Sequence, residues 1–261
     1  QAIPVRQGTR EMVCLRDPTG LAPEPLFLDA ETFFIVSLLD GEHTVLDIQE
    51  AYIRRFGTLL FSDRIHEVVR ELDDHHLLDT EEFRIFHEAL VEEFAEARVR
   101  QPTGAGSVYP DEPVGLSELF RRMLEQVRPV ESGRRPGKLC GLVAPHIDYA
   151  RGSITYAHAF REVEPLAEPH LVVILGTSHA PARHPVILTR KHFGTPFGEV
   201  ETDVEFVETL ARKLPFDPFA DEFNHRSEHS IELAAIWLHF IRGGEPVPLL
   251  PVLCGGFGDF V

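Results

Sequence analysis

The hydrophobic period of this chain changes at one place, and that change limits the folds open to it. Before the Pro- and Gly-rich stretch Gln101–Gly115 (QPTGAGSVYPDEPVG), apolar residues recur at helical spacing. After it, short apolar runs alternate with helical segments. A stretch of that composition cannot continue a helix, so it is the best boundary between two folded parts.

In the first part the spacing predicts a helix over Leu28–Leu39, capped by Asp29 and stopped by Asp40-Gly41. Thr44 caps a second helix with Val45, Ile48, Tyr52, Ile53 and Phe56 as its apolar stripe, and Gly57 ends it. Ser62 and Asp63 start a third, with Ile65, Val68, Val69 and Leu72 inward. Leu77-Leu78 reads as a short extended piece, which makes a winged-helix-like pattern, and Glu81–Arg98 as a fourth, acidic helix.

In the second part Leu116–Val127 is a helix and Ser132–Lys138 a basic turn. Strands are expected at Leu139–Ala144, Leu171–Leu175, Val186–Thr189 and Val247–Leu253, and helices at Ser153–Phe160, Thr202–Leu214 and Ser230–Ile241. Alternating strands and helices predict an α/β fold with a mixed central sheet flanked by helices, behind a small helical domain. The expected division is residues 1–80, an acidic helix and linker at 81–103, and an α/β domain at 104–261.

Charge excludes some partners. Lys and Arg number 25 against 42 Asp and Glu, a formal charge of −17. A nucleic-acid grip needs a basic footprint, and an anionic membrane surface repels such a chain. No apolar run approaches the ~18–20 residues that span a bilayer. The first ten residues hold no apolar signal core. Cys14, Cys140 and Cys254 are too few and too scattered for a disulfide framework, so a cytoplasmic setting is expected.

The 14 histidines carry the chemistry. Two predicted strands end alike, in Val143-Ala144-Pro145-His146 and in Ile174-Leu175-Gly176-Thr177-Ser178-His179. Ligands of open α/β sheets bind beyond the carboxyl ends of strands, so His146 and His179 can converge on one metal ion. Each can equally close its strand end with a hydrogen bond. His229, in Glu228-His229-Ser230-Ile231-Glu232, sits at a helix start beside a carboxylate, as an acid/base does. Asp148 is the second catalytic candidate, as a metal ligand or as the acceptor for an imidazole N–H. Tyr149 and Arg151 are candidates for an anionic substrate, and His225 lies four residues before His229. No phosphate-binding loop, dinucleotide fingerprint or serine nucleophile elbow is present.

Ala105-Gly106-Ser107-Val108-Tyr109-Pro110, Ala144-Pro145-His146-Ile147-Asp148-Tyr149, Leu175-Gly176-Thr177-Ser178-His179, Thr195-Pro196-Phe197-Gly198 and Glu228-His229-Ser230-Ile231-Glu232 follow one another in this order. Over about residues 104–253 this resembles Memo-like proteins, whose bacterial and archaeal branch is called AmmeMemoRadiSam system protein B. Those proteins are similar in fold to the class III, LigB-like extradiol dioxygenases, which use non-heme Fe(II). The resemblance implies a metal-dependent redox enzyme with His146 and His179 as ligands and His229 as acid/base. Iron is the implied metal, with copper or zinc as alternatives. The implied substrate is a small aromatic molecule or a peptide.

The sequence departs from that family in places. The family's Pro-His-Ala-Gly-Tyr is Pro-His-Ile-Asp-Tyr here, and its Gly-Pro-Ser-His-His is Gly-Thr-Ser-His-Ala. The family also continues past the last strand into a segment that supplies a further ligand in some members, so the chain reads as a C-terminally incomplete piece. Leu26–Thr80 weakly resembles PqqD-type winged-helix domains of radical-SAM systems. The Memo-like family name records a shared genomic context with a radical-SAM protein and an AMMECR1-like protein, which makes these the implied partners, with a peptide- or partner-binding scaffold as the alternative function. Zinc hydrolysis at the same histidine pair is a third reading.

Overall fold

The computed structural model describes residues 1–17, 19–22, 24–128, 141–161, 163 and 171–256. Among them are eight α-helices and three three-stranded sheets, a mixed α/β architecture. The chain divides into two compact units, Gln1–Glu92 and Glu93–Val261. No described helix is long and apolar enough to cross a membrane.

The first unit opens with an antiparallel sheet that the hydrophobic pattern did not announce. β1 (Ala2–Gln7) and β2 (Arg10–Leu15) form a hairpin whose turn holds Gly8 at φ +64°, and β3 (Leu26–Leu28) adds to β2. Three helices follow. α1 (Ala30–Val36) is shorter than the expected Leu28–Leu39, because Leu28 belongs to β3 and Asp29 takes the cap, accepting the Thr32 N–H at 2.8 Å. α2 (Val45–Phe56) starts on a Thr44–Asp47 capping box and ends at Gly57, whose φ of +72° is a left-handed cap. α3 (Ser62–Asp74) buries Ile65, Val68 and Leu72. These meet Leu26, Leu28, Ile35, Ile48 and Tyr52 in one core. Each such side chain contributes roughly 1.5–3 kcal/mol when fully buried.

Leu77-Leu78 is not a strand. His76 stands at φ +55°, the His76 N–H bonds to Asp73 O (2.8 Å), and the Leu77 N–H bonds to Leu72 O (2.9 Å). This pair of bonds is a Schellman motif, so the segment closes α3 instead of extending from it. Among the described residues the strands of this unit precede its helices. α4 (Glu81–Glu96) spans the division between the units.

In the second unit β4 (Val99–Arg100) pairs in parallel with β7 (His192–Thr195), which turns back into β8 (Gly198–Val200). The other sheet has the order β5-β9-β6. β5 (Val172–Thr177) runs parallel to β9 (Leu249–Cys254), and β6 (Val186–Leu188) runs antiparallel to it. β9, the central strand, is buried from Leu249 to Leu253. Of the strand expected at Leu139–Ala144, residues 141–144 are described and are not in a strand. The basic turn at Ser132–Lys138, Cys140 and His170 lie outside the described residues.

α8 (Ser230–Ile241) is the centre of this unit and is apolar on both sides. Toward α5 (Pro113–Glu125) and α6 (Tyr149–Arg161) it presents Leu233, Ile236 and Trp237, which pack with Phe120, Tyr149, Tyr156 and Phe160. The Trp237 and Phe120 rings stack with centroids 4.0 Å apart. On its other side Ile231 and Ala235 pack with Ile174, Phe193, Leu249 and Leu253. α7 (Val204–Ala211) completes the unit, starting on the Asp203 carboxylate.

Candidate metal centre

The carboxyl end of β5 meets the amino end of α8, and a serine joins them. Ser230 Oγ donates to Thr177 O and accepts from the Thr177 N–H, both at 3.0 Å. The approach is close because residue 176 has no side chain: a Cβ there would lie 2.6 Å from both Ile231 Cγ1 and Ser230 Oγ. This junction sets His179, two residues past β5, beside His229, the residue before α8.

Three imidazoles converge there. Ring centroids of His179 and His229 are 4.9 Å apart, of His146 and His179 5.3 Å, and of His146 and His229 6.1 Å. The structure thus gathers the three histidines that the sequence singled out. The side chains of His179 and His229 are 43% and 45% exposed, so the cluster faces outward from the junction.

Glu228 organises the cluster from beneath, with only 5% of its side chain exposed. Its Oε2 accepts the His179 backbone N–H and the His179 Nδ1–H, both at 2.9 Å. Its Oε1 accepts the backbone N–H groups of His229 (2.8 Å) and Ser230 (3.0 Å). Burial alone raises this carboxyl's pKa, but the His179 and Ser230 donors outweigh it and the net shift is downward. Glu228 is therefore a carboxylate at neutral pH, and Nδ1 of His179 carries the proton.

Donor atoms of His179, Glu228 and His229 lie within 4.8 Å of one another. The oxygens of Glu228 are already occupied by N–H groups, so its role is to orient a ligand, as acceptors behind metal-bound histidines do. That leaves Nε2 of His179 with its lone pair outward, and the imidazoles of His146 and His229 next to it. A cluster of neutral imidazoles suits iron, copper or zinc, so the donor set fits such an ion. His229 has its pKa lowered, first by burial and then by the neighbouring histidines, against the pull of Glu228.

The other candidates have different surroundings. Asp148 starts α6: its Oδ1 accepts the Arg151 N–H at 2.9 Å, and its carboxylate pairs with the Arg151 guanidinium. No hydrogen bond joins it to the three histidines among the described residues. Tyr149 is not an anion site; it is buried in the core and donates to Leu233 O at 2.9 Å. His225 is buried, and its Nε2 pairs with Ile187 O at 3.2 Å.

Sequence reading missed Arg100. The guanidinium is fully buried and donates to Glu228 O (2.6 Å) and His225 O (3.0 Å), and it pairs with Glu232. Glu232 also accepts the N–H groups of Thr103 (2.9 Å) and Gly104 (3.0 Å) and the Tyr109 hydroxyl. The only sequence signal was the pair of acidic residues four apart, Glu228 and Glu232, at a helix start.

The second unit is thus a mixed α/β domain with a histidine cluster at a strand's carboxyl end. Residues 100–256 match the family described as Memo-like protein, and the chain belongs to that family. It is 29% identical over 245 residues to a MEMO1 family protein of Aquifex aeolicus, covering 94% of this chain and 63% of that one. A MEMO1 family protein of Thermus thermophilus is 30% identical over 80% of this chain and 62% of its own length. One of Methanopyrus kandleri is 34% identical over 59% of this chain and 55% of its own. The chain therefore spans less than two thirds of the relatives it matches.

Proposed function

We propose that this chain contributes the core of a non-heme, metal-dependent redox enzyme related to class III extradiol dioxygenases, acting on a small catechol-like molecule. The observation that carries this reading is the convergence of His146, His179 and His229 above a carboxylate that accepts the Nδ1–H of His179. His146 and His179 would hold the metal, with iron favoured over copper or zinc. When bound, the ion supplies Lewis acidity and redox capacity that the side chains lack.

The chain's own residues handle orientation and protons. Glu228 fixes the proton at His179 Nδ1 and keeps Nε2 available. His229, kept neutral by partial burial, takes a proton from a phenolic hydroxyl of the substrate and returns it later. Asp148, two residues after His146, supports the site indirectly by fixing the start of α6.

The test is oxygen uptake by iron-loaded protein offered simple catechols. Uptake that falls about 10²–10⁴-fold in His229→Ala supports the proposal. Metal-loaded protein that consumes no oxygen with any catechol contradicts it. A second reading, a scaffold for a peptide or for radical-SAM and AMMECR1-like partners, is favoured by Leu46, Leu59 and Phe61, apolar side chains exposed within residues 26–80. That reading predicts partner capture that needs residues 26–80 and survives loss of His146 and His179.

A further inference from the structure

We infer that Arg100 is a positioning residue for the histidine cluster, holding the tautomer and orientation of His179 through Glu228; the inference rests on the metal-site reading above. Arg100 lies on β4, in a different sheet from β5, and among the described residues no hydrogen bond joins it to the three imidazoles. What it grips is the loop before α8. Its Nε holds His225 O at 3.0 Å and its Nη2 holds Glu228 O at 2.6 Å, two carbonyls three residues apart. Its Nη1 pairs with Glu232, in the first turn of the helix.

The guanidinium therefore fixes the loop on one side and the helix on the other. Glu228 lies between these anchors, and its carboxylate meets both the backbone N–H and the ring Nδ1–H of His179. A guanidinium spreads its donors over three nitrogens in a planar fork and so reaches two carbonyls and a carboxylate set around it; an ammonium gathers its three donors on one nitrogen and does not span the same positions. The chain of contacts runs from Arg100 to the Glu228 carbonyl, from the Glu228 carboxylate to Nδ1, and so sets which ring nitrogen of His179 keeps its lone pair.

The experiment compares the whole chain with Arg100→Lys and Tyr109→Phe, the latter removing a different partner of Glu232 while leaving Arg100 intact. Two readouts are taken: ¹⁵N shifts of the His179 ring without metal, and Fe(II) affinity by anaerobic equilibrium dialysis. In Arg100→Lys we expect His179 to lose its single Nδ1–H form and Fe(II) affinity to fall about 10- to 100-fold. In Tyr109→Phe both should match wild type even if the protein melts earlier. An unchanged His179 tautomer in folded Arg100→Lys overturns the inference, as does a tautomer change of equal size in Tyr109→Phe. If Arg100→Lys does not fold, Arg100→Gln/Glu232→Gln, which removes both buried charges together, is measured in its place, and an unchanged tautomer there overturns the inference. Wild-type protein that shows the Nδ1–H form but takes up no Fe(II) defeats the metal-site reading and leaves the tautomer result to stand on its own.

Discussion

The Oε2 atom of Glu228 lies 2.9 Å from both the backbone nitrogen and the ring Nδ1 of His179. One buried oxygen thus fixes where the chain leaves β5 and which way the imidazole faces. Replacing Glu228 with Ala leaves the N–H groups of His179, His229 and Ser230 without their acceptor. Unsatisfied buried donors cost roughly 1–3 kcal/mol each when water cannot reach them. The half-open cluster admits some water, so a total loss of about 2–3 kcal/mol is expected. Urea unfolding followed by Trp237 fluorescence checks this, because the chain's single tryptophan lies in the second unit.

Gly176→Ala tests the junction itself. The added Cβ would lie 2.6 Å from Ile231 Cγ1 and Ser230 Oγ, so β5 and α8 must move apart. Overpacking of this kind costs about 1–3 kcal/mol. Because His179 and His229 sit on either side of that seam, metal affinity should drop together with stability. Gly57→Ala, at a left-handed helix end in the first unit with nothing within 4 Å, should destabilise that unit without changing metal affinity.

Stability of the second unit should fall as pH falls below about 6.5. Burial pushes the His225 pKa from 6.5 down to about 3, and burial also lowers His229 and His239. In that window the unfolded chain binds protons that the folded chain refuses, so acid favours unfolding by about 1.4 kcal/mol per pH unit per proton. Glu228 and Glu232 have lowered pKa values, so below about 4.5 they add to the loss with the same sign. Urea midpoints between pH 7.5 and 4 check the slope. His225→Gln should flatten the limb between pH 6.5 and 4.5 by up to one proton, and an unchanged slope would show that His225 does not contribute.

The helices were legible in the sequence because their signals are local. Asp29, Thr44 and Gly57 cap as their types predict, and Ile65, Val68 and Leu72 are buried at the expected spacing. The β1–β2 hairpin was not legible, because β1 is exposed on both faces and shows no apolar alternation to read. Leu77 misled for the opposite reason: it is apolar because it packs back on the end of α3. At the site, the convergence of His146, His179 and His229 could be argued from strand ends. Glu228 stood in view as the neighbour of His229, but its bond to His179 spans 49 residues. Arg100 and Glu232 are 132 residues apart, and a lone arginine before a Gly-rich loop has no local signature.

The central claim is that His146 and His179 hold a metal ion beside His229. The direct measurement is the metal content of anaerobically purified protein, beside a His146→Ala/His179→Ala double variant that folds. The account predicts near-stoichiometric iron or copper in the first and none in the second. Metal absent from both, or retained undiminished in the double variant, would contradict it.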